Sequence, residues 1–114
     1  MGYLPGDVAE MYDPVLNQWT AVGNLNTKRA GQMAALLPTG QAMVAGGYSY
    51  TRPYYFDLAS SELFDATSRA WAFTGDMTVP RNQQALVVLG NGQVLAAGGL
   101  SDTSVLSSAE LYTP

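Results

Sequence analysis

The chain repeats itself at a fixed spacing, and this limits its fold more than any other feature. Glu10, Asp13, Trp19, Gly23, Arg29 and Gln32 recur as Glu62, Asp65, Trp71, Gly75, Arg81 and Gln84. Leu37, Gly40 and Gln41 recur as Leu89, Gly92 and Gln93, and Ala45-Gly46-Gly47 as Ala97-Gly98-Gly99. The offset is 52 residues throughout, and the twelve identities need no gap. Unrelated stretches of this length share roughly two or three at ordinary residue frequencies. A third start, Glu110-Leu111-Tyr112, follows Glu62 after only 48 residues. The missing residues fall between the double glycine and the glutamate, where a loop absorbs a length change and a paired strand does not. A period near 50 residues means one supersecondary unit stacked on copies of itself.

Within one period the pattern predicts four short strands. Met33 to Leu37 and Ala85 to Leu89 are unbroken apolar runs, as are Ala42 to Ala45 and Val94 to Ala97. Runs this short suit strands covered on both faces. Pro38-Thr39-Gly40 and Gly90-Asn91-Gly92 separate them as tight turns, and Asn91-Gly92 tolerates the positive φ of a hairpin. A third strand is expected around Glu10 to Asp13, Glu62 to Asp65 and Glu110 to Tyr112, and a fourth around Trp19 or Trp71. No segment joins helical length to helical periodicity and caps. The expectation is nine antiparallel strands: the third and fourth of one blade at about 8–23, a full set of four at about 29–75, and the first three of another at about 81–114. Together, residues 1–114 form one partial domain.

Composition removes several functions. Apolar residues make up 47% of the chain and charged ones 12%, which supports a packed core. The net charge of −4 argues against nucleic acid as a partner, because phosphate tracking needs clustered Lys and Arg. With no cysteine and no histidine, the chain lacks disulfides, thiolate ligands, the commonest general base and the commonest transition-metal ligand. No run approaches the ~20 apolar residues of a membrane span. Met1 to Glu10 has neither a basic start nor an apolar stretch, so no secretory signal is expected there. The glycine-rich segments lack the GxxxxGK[ST] spacing of a phosphate loop, and the acids are too scattered for an EF-hand. No catalytic residue, metal or cofactor is expected.

A glutamate-aromatic-Asp segment, a tryptophan six residues after the Asp, an arginine, an apolar strand and a Gly-Gly pair recur here in order. In one copy these are Glu62, Phe64, Asp65, Trp71, Arg81, the run Ala85 to Leu89, and Gly98-Gly99; in the other, Glu10, Tyr12, Asp13, Trp19, Arg29 and Gly46-Gly47. The pattern, from about Ala9 onward, resembles the kelch repeat, each copy of which makes one blade of a β-propeller. It implies an all-β fold of four-stranded antiparallel meanders, here an incomplete propeller of about two blades. The segments TGQAMVAGG and NGQVLAAGG look like kelch domains of the galactose-oxidase-like type. That type often carries His three residues after the arginine, where Gln32 and Gln84 stand here. Its copper site uses tyrosine, histidine and a cysteine-crosslinked tyrosine, which this chain cannot supply alone. The resemblance leans toward an extracellular or cell-surface setting and leaves open a scaffold role in an enzyme whose active site lies elsewhere.

Two sets of residues stand out within this frame. Glu10, Glu62 and Glu110, with Arg29 and Arg81, recur inside apolar segments, and a buried charge needs a partner. They are expected to form structural ion pairs repeated around the ring, with the double glycine admitting close backbones. Trp19 and Trp71 are expected to bury large area. The second set lies in Tyr48 to Ser60, expected to project from the ring face: Tyr48, Tyr50, Arg52, Tyr54, Tyr55 and Phe56 have the composition of a binding hot spot. A protein partner, a glycan, and cover for a neighbouring blade or oligomer contact all fit this loop. Two blades do not close a ring, so the remaining blades of a longer propeller are the favoured partner, ahead of a homo-oligomeric ring.

Overall fold

The computed structural model describes residues 4–102 and 104–114; Met1–Tyr3 and Thr103 lie outside the described residues. The described residues form thirteen strands and no helix. In chain order these are β1 (Glu10–Asp13), β2 (Gln18–Ala21), β3 (Met33–Leu36), β4 (Ala42–Ala45), β5 (Tyr48–Thr51), β6 (Tyr54–Asp57) and β7 (Ser61–Asp65). There follow β8 (Ala70–Phe73), β9 (Ala85–Val88), β10 (Val94–Ala97), β11 (Leu100–Ser101), β12 (Ser104–Val105) and β13 (Ala109–Tyr112). Nine of them fall where the repeat predicts strands. The other four make two hairpins, β5–β6 and β11–β12, in segments expected to be loops. Tyr48-Ser49-Tyr50-Thr51 and Tyr54-Tyr55-Phe56 are strand formers, and nothing but a two-residue turn separates them.

The full blade is a four-stranded antiparallel meander in the order β3-β4-β7-β8. Its ladders put Met43 opposite Ala35 and Leu63, and Phe64 opposite Trp71. The next sheet has the order β9-β10-β13, and an earlier one is the pair β1-β2. The chain is therefore all-β and built of antiparallel blade-like sheets, one with four strands beside two with fewer, consistent with the blades that the resemblance implies.

The turns explain the recurrent Asp and Gly. Asp13 Oδ1 accepts the N–H groups of Val15 and Leu16, and Asp65 Oδ1 those of Thr67 and Ser68. Each carboxylate thus closes the turn between third and fourth strands. Gly40 and Gly92 take φ of 86° and 88° between first and second strands. Asn91 does not share the positive φ expected of it. Its side chain instead accepts Gln93 N–H at 3.0 Å, stabilising the turn from outside.

The core lies between the full blade and the three-stranded sheet. Leu37, Met43 and Val94 are fully buried there, with Leu63, Leu86, Val88 and Tyr112 packed around them. Each full burial of such a side chain is worth ~1.5–3 kcal/mol. Two expectations need correction. The run Met33 to Leu37 is not covered on both faces: Leu36 is 69% exposed. The β1-β2 pair corresponds to third and fourth strands only, so among the described residues no first or second strand stands before β3 in that seam. Nor is Trp19 buried; it is 66% exposed, lying over Tyr12 at a centroid separation of 5.2 Å, while Trp71 is half-buried against Phe64.

Candidate functional site

Each arginine enters its blade just ahead of the first strand, and its guanidinium gathers the ends of the next strands. Arg29 Nη1 donates to the carbonyls of Gly46 (2.8 Å) and Ser60 (3.0 Å), and Nη2 to Ser60 Oγ (3.0 Å) and Glu62 Oε2 (2.8 Å). Arg81 repeats this on Gly98 O, Ser108 O, Ser108 Oγ and Glu110 Oε2, at 2.9–3.1 Å. The Arg29 and Glu62 side chains are 0% exposed. A pair so deep is tolerated only because nearly every donor and lone pair is used.

The glutamates do more than neutralise. Glu62 accepts the backbone N–H of Asn26 (2.6 Å) and Thr27 (3.2 Å), and Glu110 those of Thr78 (2.6 Å) and Val79 (3.3 Å). Each carboxylate therefore pins the loop that brings the chain in from the preceding blade. Burial pushes the Glu110 carboxyl up, but hydrogen bonds from Thr78, Arg81 and Val79 outweigh it and hold the group below the usual carboxylate range. Glu10 differs from the reading given to it: it is exposed and has no ion pair among the described residues.

Sequence reasoning missed the serines. Ser60 and Ser108 stand two residues before the paired glutamates, where the first copy has Val8. That recurrence was the available signal. Gln84, which the repeat singles out, is buried and donates from Nε2 to Ala45 O (3.0 Å), linking the two larger sheets.

The aromatic segment is a hairpin with two unlike faces. Tyr48 pairs with Asp57 and Tyr50 with Tyr55, so these four share one side; Ser49, Phe56, Thr51 and Tyr54 share the other. Tyr48 is only 6% exposed: its ring lies against Gly31 and its backbone exchanges two hydrogen bonds with Ala30. It holds the hairpin down and offers a partner no surface, which corrects its place among the contact residues. Tyr55 bridges Tyr48 and Tyr50 at centroid separations of 5.7 and 4.7 Å. Asp57 accepts Asn82 Nδ2 at 2.7 Å and the N–H of Asp102, tying this hairpin to β11–β12. Left facing outward are Tyr54 (73% exposed), Phe56 (42%), the rim of Tyr55, and Arg52 at the turn.

A copper centre of the type the resemblance implies does not fit the donors present, since the sequence holds no His or Cys.

No family model matches the chain. Over 70 residues, 61% of the chain, it is 31% identical to Kelch-like protein 23 of Homo sapiens and of Mus musculus, and 30% identical to that of Pongo abelii. The matched stretch spans 12% of the length of these relatives. The similarity supports kelch repeats in this chain.

Proposed function

We propose that this chain is a non-catalytic kelch-type interaction module, one partial propeller domain whose contact surface is the outer side of the β5–β6 hairpin. A protein partner is the occupant best suited to it. The observation that carries this reading is the exposed row Tyr54, Phe56 and Arg52, raised on a hairpin whose inner side is fixed by Tyr48 and Asp57. Rigid aromatics beside an arginine desolvate at low entropic cost, and such residues dominate binding energy. The matching hairpin β11–β12 has no aromatic residue, so the feature belongs to one blade and not to the frame. Kelch-like relatives support an interaction role. A galactose-oxidase-like kinship rests on the glycine-flanked strand segments alone.

The test is a capture experiment with Arg52→Ser/Tyr54→Ser/Phe56→Ser beside the unchanged chain, with melting followed on both. Loss of captured protein at an unchanged midpoint supports the reading. Equal capture by both chains overturns it, as does glycan-array binding that the triple substitution removes while protein capture stays the same.

A further inference from the structure

The turn between first and second strands has one backbone design in both blades but different side chains. Gly40 N–H donates to Leu37 O and Gly92 N–H to Leu89 O, each at 2.9 Å. Thr39 Oγ1 accepts Gln41 N–H at 3.4 Å, and Asn91 Oδ1 accepts Gln93 N–H at 3.0 Å. Threonine serves one turn as asparagine serves the other, so the turn itself does not require an amide at position 91. We propose that Asn91 is a site of spontaneous covalent modification, where loss of the side-chain amide converts the residue to aspartate and isoaspartate.

The reaction is attack of the Gly92 backbone nitrogen on Asn91 Cγ. The N–Cγ bond forms, the Cγ–Nδ2 bond breaks, and ammonia leaves with the proton given up by the Gly92 N–H. Water then opens the five-membered imide: cleavage at Cγ gives aspartate, and cleavage at the main-chain carbonyl gives isoaspartate. Three observations place this at Asn91. Of the five asparagines in the sequence it alone precedes glycine, whose nitrogen no side chain shields. It is exposed, whereas Asn82 is 2% exposed and donates to Asp57 Oδ1. Its amide is also drawn forward along the Gly92 peptide, since Oδ1 accepts Gln93 N–H and Nδ2 donates to Gln93 Oε1 at 2.8 Å. The bond to Oδ1 withdraws electrons from Cγ and assists the attack. The bond from Gly92 N–H to Leu89 O opposes it, but releasing that nitrogen breaks one hydrogen bond at a hairpin tip. Isoaspartate then routes the main chain through Cγ, which adds one backbone atom to the turn three residues ahead of the buried Val94.

The test incubates the full chain at physiological temperature and neutral pH beside a free peptide with the sequence of Val88 to Val94. Peptide mapping follows amide-to-acid conversion, with fragmentation that separates isoaspartate from aspartate. Conversion at Asn91 in the folded chain is expected within about ten-fold of the peptide rate, the retardation that one hydrogen bond imposes. It should also outrun conversion at Asn17, Asn24, Asn26 and Asn82 by at least about ten-fold, an advantage equal to that same retardation. Asn91→Thr, which copies Thr39, should end acid formation in this turn and leave the melting midpoint of fresh protein unchanged. After incubation the unchanged chain should melt below Asn91→Thr treated in parallel. Folded-state conversion slower than the peptide by more than about ten-fold overturns the proposal, because the turn then locks the amide. Conversion spread evenly over the five asparagines overturns it too, as does a lowered midpoint in fresh Asn91→Thr.

Discussion

Gly46 meets the backbone of Arg81 so closely that a Cβ on the glycine would sit well inside van der Waals contact with the Arg81 carbonyl oxygen. The two residues belong to adjacent blades, and the neighbouring Gly47 N–H donates to that same oxygen at 2.8 Å. Gly47 in turn faces its own blade, where a Cβ would come within 2.5 Å of Ala30 O. A side chain on the first glycine would thus strike the adjacent blade, and one on the second its own blade.

This division predicts unequal costs for the same substitution. Gly46 and Gly98 have nearly equal φ, 68° and 66°, so alanine strains both by ~1–2 kcal/mol. A Cβ on Gly98 meets only Leu106 O at 3.6 Å, an ordinary contact. Gly46→Ala should cost at least ~2 kcal/mol more than Gly98→Ala, through displacement of a packed backbone. Urea midpoints of the two variants check this; equal losses would refute it.

Glu62→Ala should destabilise by ~3–5 kcal/mol, since it strands a buried guanidinium and frees two loop N–H groups. Arg29→Met with Glu62→Leu should recover part of that loss, because no uncompensated charge remains. A loss under ~1 kcal/mol for Glu62→Ala would show that water reaches the arginine.

The Glu110 carboxyl is held below its ordinary value by its hydrogen bonds. A folded-state pKa that is depressed contributes stability above the unfolded pKa, and that contribution disappears as pH falls through the folded one. Melting of the unchanged chain should therefore worsen below about pH 4.5, the group's ordinary value, and Glu110→Gln should lower the midpoint at pH 7 while flattening this acid limb. A parallel acid limb in both proteins would assign the pH dependence to other carboxylates.

The two sides of the β5–β6 hairpin should respond in opposite ways. Tyr54→Ser and Phe56→Ser should each change stability by less than ~1 kcal/mol, being surface changes. Tyr48→Ser should cost ~3–5 kcal/mol, because it empties a packed ring site against Gly31. Denaturation of the three single variants separates these outcomes.

The frame was legible because repetition reports constraint twice. Asp65, Arg81, Glu62 and the double glycine recur because turn closure, charge pairing and backbone approach impose the same demand in each blade. What happens once leaves no such trace. The hairpins β5–β6 and β11–β12 were hidden because the two segments differ in length and share no residue pattern. Burial was misread at Trp19 and Leu36 because periodicity names the side a residue faces, whereas exposure depends on whether a neighbour stands there. Tyr48 and Tyr54 are equal as letters; only the ladder register puts one beneath the hairpin and the other on top.

The guanidinium clamp spans Gly46 to Ser60 in one blade and Gly98 to Ser108 in the other, two intervals that differ by four residues. Its contacts with the paired carbonyls stay within 2.8–3.0 Å in both. The clamp measures the distance between strand ends and is indifferent to the length of chain strung between them. Ornament can accordingly be lengthened, shortened or exchanged on that rim of a blade without renegotiating its scaffold, so variation of the rim is decoupled from preservation of the sheet beneath it.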